Sequence, residues 1–62
     1  MAYKVNTVYD DGYVSTREFD DKSEAKMYFG NIDTTEIIES VFSEITDDGE
    51  TVIDTKKTTK RK

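Results

Sequence analysis

Residues 3–19, with the sequence Tyr-Lys-Val-Asn-Thr-Val-Tyr-Asp-Asp-Gly-Tyr-Val-Ser-Thr-Arg-Glu-Phe, decide how the fold begins. Both flanks of the central Asp-Asp-Gly are rich in β-branched and aromatic residues, which are typical of strands. Asp-Gly between two such segments is a strong hairpin signal, because glycine tolerates the positive φ that the turn demands. The sequence therefore predicts strands over 3–9 and 13–19, with Gly12 at positive φ between them.

Two registers are open to this hairpin. A three-residue loop with a bulge at Gly12 places Tyr3 opposite Phe19. A two-residue turn shifts the pairing by one residue and places Tyr9 opposite Val14. We favour the first register because it places Tyr3, Val5 and Phe19 on one face of the sheet.

A helix is predicted over residues 21–30. Asp21 is a good N-cap, and Glu24 three residues later can complete a capping box. The apolar stripe of this helix, at positions i, i+3 and i+4, is formed by Ala25, Tyr28 and Phe29. Gly30 is then expected to stop the helix as the residue that follows its last turn.

Residues 36–46, Glu-Ile-Ile-Glu-Ser-Val-Phe-Ser-Glu-Ile-Thr, fit two structures. Their apolar positions fit a helical stripe, for which Asp33 and Glu36 would form a second capping box. The segment is also rich in β-branched residues, and a second Asp-Asp-Gly follows it at 47–49, where Gly49 is again expected at positive φ. Beyond that turn, residues 51–54 need a strand partner, which a strand over 38–46 supplies. We favour the strand and keep the helix as the alternative.

The predicted fold is therefore α+β, with the order ββαββ: a four-stranded antiparallel sheet with one helix packed on one face. Residues 1–54 form a single small domain, because 62 residues leave no room for a second core. Residues 55–62 contain no apolar side chain and are predicted to be a disordered basic C-terminal tail. Such a layout is of a type found in many small accessory proteins, phage-encoded ones among them.

Charge is distributed unevenly between these two parts. Residues 1–54 carry all fourteen acidic residues and four basic ones, a net charge of −10, whereas residues 55–62 carry five basic residues. The tail could contact phosphates without reading sequence, or it could simply aid solubility. The candidate nucleic-acid-binding residues are Lys56, Lys57, Lys60, Arg61 and Lys62. The acidic body could in turn mimic a phosphate backbone and occupy a nucleic-acid-binding site on another protein.

The residue types argue against catalysis and against a bound cofactor. The chain has no histidine and no cysteine, which removes the commonest general base and the thiol nucleophile. No glycine-rich phosphate loop or dinucleotide fingerprint is present. The acidic pairs at 10–11 and 47–48 coincide with predicted turns and lack the spacing of a calcium loop, so we assign them to turn chemistry rather than to a metal. We predict no catalytic residue, no cofactor and no metal.

Two further features bear on the partners and the location of the chain. The aromatic residues, three Phe and four Tyr, are assigned to core packing, because a sheet that stacks bases pairs its rings with a basic face. No apolar run is long enough for a membrane span or a signal peptide. The absence of cysteine fits a cytoplasmic protein, which is the predicted location.

The small core and the lack of disulfides or zinc ligands leave self-association as the available support for so short a chain. One short helix cannot cover a sheet face, and none is left for the other face. In a strand over 37–45, one face would carry Ile37, Val41 and Ile45 and the other would carry Ile38 and Phe42. An exposed apolar strip of either kind typically marks an interface. We predict a homodimer with Ile38 and Phe42 as contact residues and Tyr9 near the edge of the contact. If the strand faces the other way, Ile37, Val41 and Ile45 are the exposed residues instead.

The sequence thus favours a small non-enzymatic interaction module that self-associates and binds a protein partner. The alternative is a nucleic-acid-related protein, acting as an acidic mimic or through its basic tail. No membrane partner is expected.

Overall fold

The computed structural model describes residues 2–58 and confirms the ββαββ order. Its elements are β1 (Ala2–Tyr9), β2 (Val14–Phe19), α1 (Lys22–Gly30), β3 (Ile37–Thr46) and β4 (Gly49–Lys57). The four strands form one antiparallel sheet in the order β2-β1-β3-β4, so the first strand of each hairpin lies in the centre. The strand interpretation of residues 36–46 is therefore confirmed and the helical alternative is wrong.

The first hairpin has the predicted three-residue loop. Tyr3 lies opposite Phe19, and Gly12 has a φ of 92°. The Gly12 N–H donates to the Tyr9 carbonyl at 2.9 Å, and the Tyr9 N–H donates to the Tyr13 carbonyl at 2.8 Å. A side chain at position 12 would be strained at this φ, which is why glycine ends the turn.

The second hairpin closes differently although its turn has the same Asp-Asp-Gly sequence. Thr46 lies opposite Gly49, so the loop contains only Asp47 and Asp48. Gly49 has a φ of 125°, as predicted for a positive-φ glycine at this turn. The Thr46 hydroxyl donates to the Gly49 carbonyl and accepts from the Asp48 N–H, both at 3.3 Å. The threonine before this turn therefore takes part in closing it.

Helix α1 begins as predicted and ends differently. The Asp21 carboxylate accepts a hydrogen bond from the Ser23 N–H at 2.8 Å, which makes Asp21 the N-cap. Gly30 is the last residue of the helix rather than the residue beyond it. Asn31 is the C-cap, with φ −91° and ψ 0°, and its N–H donates to carbonyls of the last turn. The helix thus closes in a right-handed conformation, so its end does not require the left-handed freedom of glycine.

The link between α1 and β3 is organised by Asp33. Its carboxylate accepts hydrogen bonds from the Thr35 N–H at 2.9 Å and the Thr35 hydroxyl at 2.6 Å. Aspartate side chains that bond the backbone two residues later stabilise turns in competition with helices. Asp33, which the helical alternative would have used as an N-cap, therefore forms a turn that leads into β3.

The core lies between α1 and one face of the sheet. Its buried members are Tyr3, Val5, Ala25, Phe29 and Phe42, and the partly buried Phe19, Tyr28 and Ile32 pack around them. The rings of Phe29 and Phe42 lie 5.5 Å apart between centroids, and those of Tyr3 and Phe42 lie 6.3 Å apart. Tilted ring pairs at such distances are a favourable packing of aromatic side chains. Phe42 therefore connects the helix to the central strands.

The predicted tail boundary at residue 55 is wrong for residues 55–57. They continue β4 and pair with Glu39, Ser40 and Val41 of β3. The backbone ladder requires no apolar side chain, which is why composition did not reveal it. Lys56 adds a tertiary contact, since its ammonium donates to the carbonyls of Phe29 at 2.9 Å and Gly30 at 3.2 Å. The predicted disorder of residues 59–62 lies outside the described residues.

Candidate functional site

The sheet face opposite α1 is the candidate site, and we call it the open face. Residues directly opposite each other on neighbouring strands share a face, and residues alternate between faces along a strand. The helix lies on the face that carries Val5 and Phe42. The strand pairing then assigns these residues to the open face: Ala2, Lys4, Asn6, Val8, Val14, Thr16, Glu18, Glu39, Val41, Ser43, Ile45, Glu50, Val52, Thr55 and Lys57. Within residues 2–58, no other element covers this face.

Apolar side chains cross the open face diagonally. This apolar stripe consists of Val14, Val8, Val41, Ile45 and Val52. Val14 and Val52, near its two ends, are 53% and 57% exposed. Val8, Val41 and Ile45 between them are partly buried, and Ser43 separates the last two along β3. A single exposed valine is ordinary, but several apolar side chains on one uncovered sheet face are typical of an interface.

An ion pair on the open face covers a buried serine. Lys4 lies opposite Ser43 on the neighbouring strand, and its ammonium contacts the Glu50 carboxylate at 2.8 Å. The hydrogen bond from Lys4 lowers the pKa of Glu50. The Ser43 side chain is fully buried, yet its hydroxyl does not reach hydrogen-bonding geometry with any group in residues 2–58. The ion pair therefore lies over the central strands and shields Ser43 from solvent.

Charges on the open face nearly cancel. Lys4 and Lys57 stand against Glu18, Glu39 and Glu50, and Lys57 lies directly opposite Glu39. Residues 2–58 carry fourteen acidic and six basic side chains, so the acidic excess lies on the other surfaces of the molecule. A second acidic molecule therefore meets little electrostatic repulsion at this face.

The predicted contact residues are not brought together on one strip. Phe42 is 2% exposed and lies in the core, whereas Ile38 is 50% exposed. Tyr9 is partly buried, with its ring 5.8 Å from that of Tyr13. The cause is an irregularity in the β1–β3 pairing, where Val8 opposes Glu39 but Tyr9 opposes Ile37, so simple alternation fails at Ile38.

Members of the other set, Val41 and Ile45, lie on the open face instead. Val14 and Val52 were missed because the sequence argument considered the faces of one strand only. Their signal was present in the hairpin registers, which place each valine on the same face as those residues.

The basic residues predicted to contact nucleic acid also divide between faces. Lys56 lies opposite Ser40 and reaches the end of α1, whereas Lys57 lies on the open face. Adjacent strand residues point in opposite directions, so these two lysines do not form one basic patch. Lys60, Arg61 and Lys62 lie outside the described residues.

No known protein family, curated protein or solved structure matches this chain. The function is therefore inferred from the surfaces of the molecule. The helix of residues 2–58 is neither long nor apolar enough to cross a membrane. In the same range, no three acidic, histidine or cysteine side chains are grouped so that they could hold a metal ion.

Proposed function

We propose that the protein is a small non-enzymatic interaction module that forms a homodimer through its open face and binds a protein partner. The observation that supports this most is the apolar stripe on a nearly charge-balanced face of an otherwise acidic molecule. A cytoplasmic location is part of the proposal, since a chain without cysteine gains nothing from an oxidising compartment.

The size of the core supports a second copy as the occupant of this face. The buried apolar residues within 2–58 are Tyr3, Val5, Ala25, Phe29, Ile37 and Phe42. Domains of this size usually need a further support, such as a disulfide, a metal or oligomerisation. The chain has no cysteine or histidine, so the sequence offers oligomerisation most readily. Burying the apolar stripe against its copy would extend the core without adding a residue.

The size of the face sets the expected strength of the dimer. About fifteen side chains point to it, fewer than the roughly 20–30 residues per partner of a standard interface. We therefore expect a weak dimer, with a dissociation constant on the order of micromolar. Such a dimer forms and dissociates within the concentration range of ordinary solution measurements.

The test compares two exposed apolar residues on opposite sides of the molecule. Val52→Glu places a charge on the open face, and Met27→Glu places the same charge on α1 at a residue that is 68% exposed. Sedimentation velocity over a concentration series should give wild type and Met27→Glu a mass that rises toward twice 7.1 kDa. Val52→Glu should stay at the monomer mass while its circular dichroism remains that of a folded chain.

Two outcomes would contradict the proposed dimer. One is a monomer mass for the well-folded wild type at every concentration. The other is an unchanged association of Val52→Glu, which would move the interface elsewhere. Ile38→Glu distinguishes the two predicted surfaces, because Ile38 is exposed but lies at the irregular start of β3 rather than on the apolar stripe.

A second candidate is an acidic surface that occupies a basic, nucleic-acid-binding site on another protein. It is favoured by a concave surface beside the first turn, where Tyr9 and Tyr13 stand with Asp10, Asp11 and Glu36. Tyrosine is common among the residues that dominate interface energies, and carboxylates complement a basic partner. Association through this surface should weaken steeply with added salt, whereas association through the apolar stripe should not.

A further inference from the structure

A groove of about 410 Å³ lies between α1 and β4, on the face opposite the proposed dimer contact. Helix α1 packs on β1, β2 and β3 but does not extend over β4. The outer strand is therefore left uncovered on the helix side. The groove that results is separate from the open face, so it can be occupied whatever the oligomeric state.

The floor of this groove is apolar. It includes Phe29 and Phe42, which are themselves 4% and 2% exposed members of the core. Ile53 adds an aliphatic side chain from β4 and is 40% exposed. Ile53 stands at a bulge in the β3–β4 pairing, where Phe42 opposes Asp54 and Ser43 opposes Val52. Bulges redirect side chains at the edges of sheets, and this one supplies an accessible apolar contact.

The charge of the groove is opposite to that of the molecule. Three lysines, Lys22, Lys26 and Lys56, line it together with one carboxylate, Asp54. The Asp54 carboxylate already accepts the Thr55 N–H at 2.8 Å. The groove is therefore basic although residues 2–58 carry fourteen acidic and only six basic side chains.

Lys22 and Lys26 are the ammonium groups available to a ligand. Lys56 is engaged with the carbonyls at the end of α1. Within residues 2–58, neither the Lys22 nor the Lys26 side chain forms a hydrogen bond or an ion pair. Two unpaired cations thus stand at the rim of an apolar floor.

The positions of these two lysines are unfavourable for the helix alone. Lys22 is the first residue of α1, where the helix dipole favours negative charge. Lys26 lies one turn later, and like charges at i and i+4 repel each other. The negative charge that this end of the helix favours comes from the N-cap Asp21 and from Glu24. An anion placed between the two ammonium groups would remove both conflicts.

We propose that this groove binds a small amphipathic anion, in which one carboxylate-like head is attached to an aromatic or branched apolar body. The head lies between Lys22 and Lys26, and the body lies against Phe29 and Ile53. The volume is at the lower end of the roughly 300–1,000 Å³ typical of small-molecule sites, which fits a ligand of one or two rings. An apolar surface with a few convergent charged groups is the usual form of such a site.

The experiment uses 2-naphthoate as the probe and 2-naphthalenemethanol as its neutral counterpart. Each is titrated into the ¹⁵N-labelled full chain and followed by amide chemical shifts. Naphthoate should perturb the amides of Lys26, Gly30 and Ile53, and it should bind about tenfold more tightly than the alcohol, the difference expected for a charge-assisted contact. Raising the salt concentration should weaken naphthoate binding to the unmodified chain.

The matched variants are Lys22→Gln/Lys26→Gln and Lys57→Gln. The double variant should lose about tenfold in naphthoate affinity, whereas Lys57→Gln, on the open face, should bind naphthoate as wild type does. Equal binding of naphthoate and the alcohol would overturn the proposal, as would an unchanged affinity of the double variant. Perturbations centred on Val14 and Val52 would overturn it too, because they would place the probe on the open face.

Discussion

The ammonium of Lys56 lies 5.0 Å from the centre of the Phe29 ring and donates a 2.9 Å hydrogen bond to the Phe29 carbonyl. This contact joins the end of β4 to the end of α1. The Phe29 carbonyl also accepts the Ile32 N–H at 3.3 Å, so the Lys56 ammonium is an additional donor. It places a positive charge at the negative end of the helix dipole. The last strand residues are therefore part of the fold.

The first prediction concerns this contact. Lys56→Met keeps the aliphatic stem and removes the charge, so it should lower the free energy of unfolding by about 1 kcal/mol. Lys57→Met, which removes a charge from the neighbouring residue on the other face, should cost less than half as much. Urea denaturation followed by circular dichroism measures both values. Equal effects of the two substitutions would show that the Lys56 contact contributes nothing specific.

The second prediction locates the end of the domain. A chain that stops at Thr58 should unfold within about 0.5 kcal/mol of the full chain, because residues 59–62 bring no apolar side chain. A chain that stops at Asp54 loses three ladder residues of β4 together with Lys56 and should be clearly less stable. Thermal melts of the two truncated chains compare them directly. Equal stability of both would restore the tail boundary at residue 55.

The third prediction separates core from surface on β3. Phe42→Ala should cost about 3–5 kcal/mol, which is comparable with the total stability of a domain of this size. Ile38→Ala should cost less than about 1 kcal/mol, because Ile38 is half exposed in the monomer. Denaturation curves at a concentration where the chain is monomeric give both values. A mild Phe42→Ala variant would contradict the packing of Phe42 against α1.

The fourth prediction follows from the Lys4–Glu50 ion pair. Because Lys4 lowers the pKa of Glu50 below its usual 4.5, the ionised carboxylate stabilises the folded state above the unfolded pKa. This contribution is lost as the pH falls through the lowered value. Wild type should therefore melt at a higher temperature than Glu50→Gln at pH 7, and the difference should shrink as the pH falls below 4.5. A difference that persists in acid would show that the ion pair is not its source.

Much of the fold could be predicted from local chemistry. The Asp-Asp-Gly turns fixed the positive φ of Gly12 and Gly49, and Asp21 marked the start of the helix. These features depend on a few adjacent residues, so one sequence is enough to reveal them. The second strand pair followed because residues 51–54 needed a partner, an argument from pairing rather than from propensity.

The remaining features depend on contacts between distant residues. The irregularity at Ile38 arises where β1 meets β3, and alternation along one strand does not reveal it. Beyond Asp54, β4 is held by backbone pairing with β3 and by the contact of Lys56 with the end of α1. The open face required all three strand pairings at once, which is why Val14 and Val52 were missed. Composition and hydrophobic periodicity describe one segment at a time, whereas these features arise from contacts between two segments.

A homodimer through the open face places the apolar stripes of two chains in contact. A mixture of ¹³C-labelled and unlabelled protein allows an isotope-filtered NOE experiment that detects only protons on different molecules. We expect interchain NOEs from the methyl groups of Val41, Ile45 and Val52, at concentrations where the mass exceeds 7.1 kDa. Interchain NOEs confined to Ile38, to the Tyr9–Tyr13 surface or to the strand edges, with none from these methyl groups, would rule out a dimer through the open face.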